Sequence, residues 1–185
     1  MSTRDTVVVA AQRLLAVEPT ASMAQIAAAA GVGRATVHRH FASREDLLRE
    51  IGLRSLERWE RSLSAAEAAA AGARDAAALR TVLVGMLERY VEDAEEFGIA
   101  LTDPTVVSDA GLRQRSEALF AREIALYAAA QRADVLRSDM PARWFAHAVY
   151  GLLVGARDAL VAGDVTRRDA RMLVCTSFLE GGGVR

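Results

Sequence analysis

The sequence contains no lysine. All 23 of its basic side chains are arginine, set against 24 acids and three histidines. Genome base composition explains an arginine-only chain more simply than function does, so this absence carries no functional weight. Cysteine is nearly absent too. The lone Cys175 excludes an internal disulfide framework and a cysteine-rich zinc site. It lies in an apolar helical stretch and reads as a structural thiol. Prolines stand only at positions 19, 104 and 141, and aromatics make up 5% of the chain. Alanine and leucine dominate in their place, which favours helices over sheets. No uninterrupted apolar run approaches the roughly 18 residues of a membrane span. The opening MSTRDTVVVAAQRLL carries Arg4 and Asp5 and soon meets Gln12 and Arg13. It reads as an amphipathic helix, not a secretion signal. A soluble, cytoplasmic protein without a membrane partner is expected.

What is present is a chain of 185 residues, 52% of them apolar, enough to bury a substantial core. The net charge of −1 is unevenly placed. Residues 1–49 hold six arginines against four acids, together with His38 and His40. Net charge alone points to no partner; local placement must do so.

Periodicity and capping signals divide the chain into helices. The first spans Thr3 to about Val17, with Val7, Ala11, Leu14 and Leu15 inward. Ser22 followed by Gln25 is a capping box that starts a second helix, which stops at Gly31. A short third helix covers Gly33 to His40. Ser43 caps a fourth, expected to end near Ser64, and AAEAAAAGARD at 65–75 reads as a joint. Further helices are expected at 76–94, 108–131, 141–162 and 166–180, with breaks at 97–105, 138–141 and 163–166 and GGGVR as a frayed tail.

The stretch QIAAAAGVGRATVHRHFASREDLL carries the clearest chemistry. On a helix from Gly33 to Phe41, Val37 and Phe41 define the inner face. Arg34, Ala35 and His38 turn away from it, while Thr36, Arg39 and His40 fan along another side. Upstream, Ala27 is small where a crossing helix must approach, Gly31 makes the turn, and Val32 is expected in the core. This is a helix-turn-helix pattern. The second helix of such a pair enters the major groove. Arginine can there grip guanine with two hydrogen bonds, and small methyl-bearing side chains can meet thymine. His38 and His40 have no cysteine or acid beside them at ligand spacing, so no metal site is expected.

Segment 22–48 resembles the DNA-binding domain of TetR-family transcriptional regulators, in which G-V-S-R-x-T-L-Y-x-H-F precedes a capped helix opening S-K/R-x-x-L. The matching residues are Gly31, Val32, Arg34, Thr36, His40, Phe41, Ser43, Arg44 and Leu47. Gly33, Val37 and His38 replace the frequent serine, leucine and tyrosine. The resemblance implies an all-α fold, with a three-helix helix-turn-helix domain at residues 1–48 and a larger ligand-binding and dimerisation domain at 49–185. It implies base or groove contacts at Arg34, Ala35, Thr36 and His38, groove-edge or phosphate contacts at Arg39 and His40, and phosphate clamps at Ser22 and Arg44. It further implies a small effector bound in the larger domain and, most commonly, repression.

In that larger domain most apolar residues read as core. Met86, Tyr90, Phe120, Tyr127 and Trp144 are the candidates for an effector lining. No charge cluster within these helices demands a strongly charged ligand, so a mainly apolar effector is expected. The helices at 141–162 and 166–180 are more apolar than a monomer surface tolerates. Gly151 and Gly155 stand four apart, which suits close helix packing. A homodimer through these two helices is expected, on a palindromic double-stranded operator.

Catalysis finds no support. A di-iron bundle needs E-x-x-H, but Ala35, Val37 and Trp144 stand three residues before the histidines. No Ser/His/Asp or phosphate-loop pattern occurs, and no cofactor is expected. The alternatives are a constitutive DNA binder with a filled core and a helical adaptor that binds protein.

Overall fold

The computed structural model describes residues 2–183 and consists of helices and their connections. Helix α1 spans Thr3–Val17, α2 Met23–Ala29, α3 Arg34–His40, α4 Arg44–Ala71 and α5 Ala76–Phe97. Two short helices follow, α6 at Ile99–Thr102 and α7 at Pro104–Ser108. The long helices α8 (Ala110–Arg132), α9 (Ala142–Ala162) and α10 (Arg167–Gly182) complete the chain.

The starts follow the local chemistry. Ser2, Ser22 and Thr166 form reciprocal capping boxes with Asp5, Gln25 and Asp169. Ser43, Asp75, Asp103 and Asp109 each accept a backbone N–H in the first turn of the helix they precede. The turn between α2 and α3 is a Schellman closure. The N–H of Val32 donates to the Ala27 carbonyl at 3.0 Å, and that of Gly31 to Ala28 at 3.1 Å. Gly31 sits at φ +67°, where a β-carbon is strained.

Three expectations need correction. The alanine-rich stretch 65–71 continues α4 without a break, so that helix runs to Ala71 and the joint shrinks to residues 72–75. Alanine has the highest helix propensity, and the packing of α4 on α5 and α8 holds the extension. The break at 97–105 contains α6 and α7. Finally, Gly181 and Gly182 extend α10, and the Arg137 N–H donates to the Gly182 carbonyl at 2.7 Å. A β-carbon on Gly182 would meet the Phe145 ring at 2.6 Å, so glycine here serves close packing. Val184 and Arg185 lie outside the described residues.

Two apolar clusters form. One gathers Val7, Val8, Ala11 and Leu15 of α1 with Ile26, Ala27, Val37, Phe41, Leu47, Leu48 and Ile51. It also takes in Ile99, Val106 and Leu112 from α6, α7 and α8. The head built by α1–α3 is therefore seated on the rest of the chain through a shared core. Gly52 marks the closeness of that seating: a β-carbon there would lie 2.7 Å from Leu112 and 2.9 Å from Val106. The second, larger cluster runs through α4, α5, α8, α9 and α10. Within it Tyr127, Phe145 and Phe178 form a set of tilted and edge-on rings with centroids 5.4–6.3 Å apart. Helix α4 belongs to both clusters, and Leu56 packs against each.

Candidate DNA interface and ligand cavity

Helix α3 buries Val37, and the adjoining Phe41 is buried beside it. Arg34, Ala35, His38, Arg39 and His40 are exposed and Thr36 is half-buried. The Arg39 guanidinium donates to Thr36 Oγ1 at 3.1 Å, which holds it along the helix. Val32 is half-buried, packed at the edge of the first cluster, not within it. The far end of α3 is pinned by Arg4. Its guanidinium lies 5.1 Å from the Phe41 ring centroid and makes paired hydrogen bonds to Glu50 at 2.8 and 2.9 Å.

Ser22 is exposed and already engaged as the cap of α2, with its Oγ donating to Gln25 at 2.7 Å. Arg44 is half-buried and has work that its sequence position does not disclose. It donates to the Pro19 carbonyl at 2.5 Å and to that of Ala21 at 3.3 Å. These bonds tie the start of α4 to the turn that leads into α2.

A cavity of about 110 Å³, partly open to solvent, lies among α4, α5, α6, α8 and α9. Of the five sequence candidates, Tyr90 and Phe120 line it. Met86 and Tyr127 do not: both are fully buried in the larger cluster. Trp144 is 56% exposed, on the outer side of α9. Helical periodicity identifies an apolar face but does not distinguish filled space from hollow. Trp59, Leu101 and Tyr150 complete much of the wall. Trp59 N–H donates to the Tyr90 hydroxyl at 3.0 Å, and Tyr150 donates from the rim to the Leu101 carbonyl at 3.0 Å.

The expectation of a lining without charge fails at two acids. Asp93 borders the cavity but is neutralised, accepting from Arg58 at 2.8 Å and from Ser62 at 3.1 Å. Glu123 is 3% exposed and forms no ion pair among the described residues. Tyr127 Oη donates to it at 2.6 Å. Burial pushes its carboxyl up to about 7, against the pull of the hydrogen bonds from Tyr127 and Trp59. The same burial, with Glu123 close by, raises both Tyr90 and Tyr127 well above the usual phenol range. Sequence alone gave little signal for this acid, because Glu123 follows Arg122 in a stretch otherwise typical of a solvated face.

On the outer side of the bundle, α9 and α10 leave apolar groups uncovered. Trp144, Tyr150, Val161, Met172 and Leu173 are all exposed. β-Carbons placed on Gly151, Gly155 and Gly181 would meet nothing within 4 Å. By length and hydropathy α9 could cross a membrane, and only 17% of its most apolar stretch is buried.

Residues 7–51 match the family model for bacterial regulatory proteins, tetR family. Over 183 residues the chain is 29% identical to the HTH-type transcriptional repressor LfrR of Mycolicibacterium smegmatis, covering 97% of this chain and 89% of the relative. The structure of LfrR from Mycobacterium smegmatis in complex with proflavine superposes with a TM-score of 0.74 at 24% identity, over 97% of this chain and 96% of that one. AibR in complex with isovaleryl coenzyme A and operator DNA superposes with a TM-score of 0.71 at 16% identity, over 96% and 98%.

Proposed function

We propose that the chain is a TetR-family regulator, a cytoplasmic repressor that binds a palindromic operator as a homodimer and is released by a small effector. The observation that carries this reading is the exposed sector of α3. Arg34, Ala35 and His38 stand clear of the head's core, on a helix seated by the Gly31 turn and by Val37 and Phe41. Those three side chains read base edges, with Thr36 beside them. Arg39, His40, Ser22 and Arg44 hold the backbone.

The homodimer reading rests on the uncovered faces of α9 and α10. A second copy would bury their exposed apolar groups, and the three glycines would permit close helix approach. The effector reading rests on the cavity, and the relative's complex with proflavine supports a flat ring compound as occupant.

Selection of bound duplexes from a random pool tests the proposal. Enrichment of an inverted repeat is expected. Failure to enrich any duplex at low salt would favour a protein-binding adaptor instead.

A further inference from the structure

Glu123 has no structural use that an uncharged side chain could not serve. It forms no ion pair among the described residues and lies at the wall of a cavity. Its hydrogen bonds from Tyr127 and Trp59 would be accepted equally well by a glutamine. A carboxylate well removed from water and without a cation is costly to keep charged. A bound cation would remove that cost.

The rest of the cavity fits the same occupant. No basic side chain is among its lining residues. Arg143 and His147 pack on the Phe120 ring at 5.8 Å and 5.0 Å without joining the wall. Asp93 already has Arg58 as its partner. Three aromatic rings, Trp59, Tyr90 and Phe120, surround the acid, and rings of this kind attract a cation through their faces. A volume of about 110 Å³ corresponds to a single six-membered ring with a short polar substituent.

We propose that the effector is a small aromatic cation, a ring bearing a protonated amidine or amine, that sets its charged nitrogen on Glu123 and its ring among Trp59, Tyr90 and Phe120. This rests on reading the cavity as the effector site. Larger cationic ring systems enter by the same contact if the open side widens. Anions of the same size are rejected, because nothing in the lining can offset their charge beside Glu123.

Benzamidine, benzamide and benzoate have nearly the same shape and carry one positive, no and one negative charge. Their binding to the intact protein is measured by Trp59 fluorescence and by calorimetry at pH 8, in the wild type and in Glu123→Gln. In the wild type, benzamidine is expected to bind at least tenfold more tightly than benzamide, with benzoate weakest. In Glu123→Gln the benzamidine advantage is expected to shrink to within about threefold, since a neutral amide offers no charge partner. The wild-type ranking stands as a test even if the variant folds poorly. If the three bind alike, or the ranking survives Glu123→Gln, the cavity takes ligands but charge is not its selector, and this inference alone falls. If none binds, the cavity is not an effector site, and the proposed release mechanism falls with it.

Discussion

The hydroxyl of Tyr127 donates to a carboxylate oxygen of Glu123 at 2.6 Å, one turn apart on α8 and both buried. The pair sets up a pH dependence of stability. In the native state the Glu123 carboxyl is pushed up from 4.5 to about 7 by burial, so the folded chain holds this proton more tightly than the unfolded chain does. The group's contribution is fully present below the unfolded value and is lost as pH rises through the native one, a swing of about 3 kcal/mol. Glu123→Gln keeps an acceptor for Tyr127 and removes the titration. Urea unfolding of both proteins at pH 5 and pH 8 is expected to show the variant gaining on the wild type at the higher pH, by up to about 3 kcal/mol. A difference independent of pH would overturn the assignment.

Arg34 and Arg44 carry the same charge and are expected to fail differently. Arg34 is exposed on α3 and forms no side-chain hydrogen bond or ion pair among the described residues, so its donors are available to a base pair. Arg34→Ala should cost about 1–3 kcal/mol on the preferred operator and much less on random duplex, relaxing preference at one position per half-site. Arg44 holds the Pro19 and Ala21 carbonyls. Arg44→Ala should weaken all duplexes by similar factors. It should also lower stability by about 1 kcal/mol, because the turn before α2 loses its tie. Titrations on specific and random duplexes at several salt concentrations, beside denaturant melts, separate the two. Uniform weakening by Arg34→Ala would reduce it to a phosphate contact.

The uncovered face of α10 supplies a test of assembly. Met172 and Leu173 are 57% and 48% exposed, so glutamate at both positions should leave the helical fold intact. In a dimer the same change places charges in an apolar seam. The double variant is expected to sediment as a monomer at micromolar concentration. Its operator affinity should drop by roughly a hundredfold or more, since each head then binds without the other. A variant that remains dimeric would place the interface elsewhere.

The helical plan was largely written in local chemistry. Ser22 with Gln25, Gly31, and the alternation of Val37 and Phe41 with polar neighbours all act within a few residues, and the structure follows them closely. The places where local reading stopped short are set by distant parts of the chain. Ala65–Ala71 stays helical because α4 packs against α5 and α8. Glu123 is buried because α4 and α5 close over a position that looks solvated in sequence, with Trp59 and Tyr90 arriving from those helices. Tyr127 and Phe120 belong to the same helix, yet one is packed solid and the other borders empty space. Which of them does so depends on the fit of facing helices, not on hydrophobic spacing.

Helix α6 has one residue in each compartment, and this fixes where coupling between them should be weakest. Ile99 is buried in the cluster that seats the head, while Leu101, two residues on, lines the cavity. The element is held from α9. Arg157 Nη1 donates to the Gly98 carbonyl at 2.7 Å and to Thr102 Oγ1 at 2.9 Å, so both ends of α6 are tied to one guanidinium. Gly98 lets that side chain come close, since a β-carbon there would sit 2.3 Å from Arg157 Cδ. A ligand that displaces Leu101 must therefore carry Ile99 with it or break these bonds. Arg157→Ala removes the ties at both ends of α6, leaving only the Tyr150 bond to the Leu101 carbonyl from α9 among the hydrogen bonds described, and replaces no residue of α3 or of the cavity lining. Operator affinity without ligand should stay within about threefold of wild type, as should benzamidine affinity without DNA. The factor by which benzamidine weakens operator binding should fall by tenfold or more, within the usual 1–3 kcal/mol span of a coupling free energy. Operator titrations with and without saturating benzamidine, on both proteins, measure that factor directly. An unchanged factor would mean that ligand and operator communicate through α4, the other helix shared by both clusters.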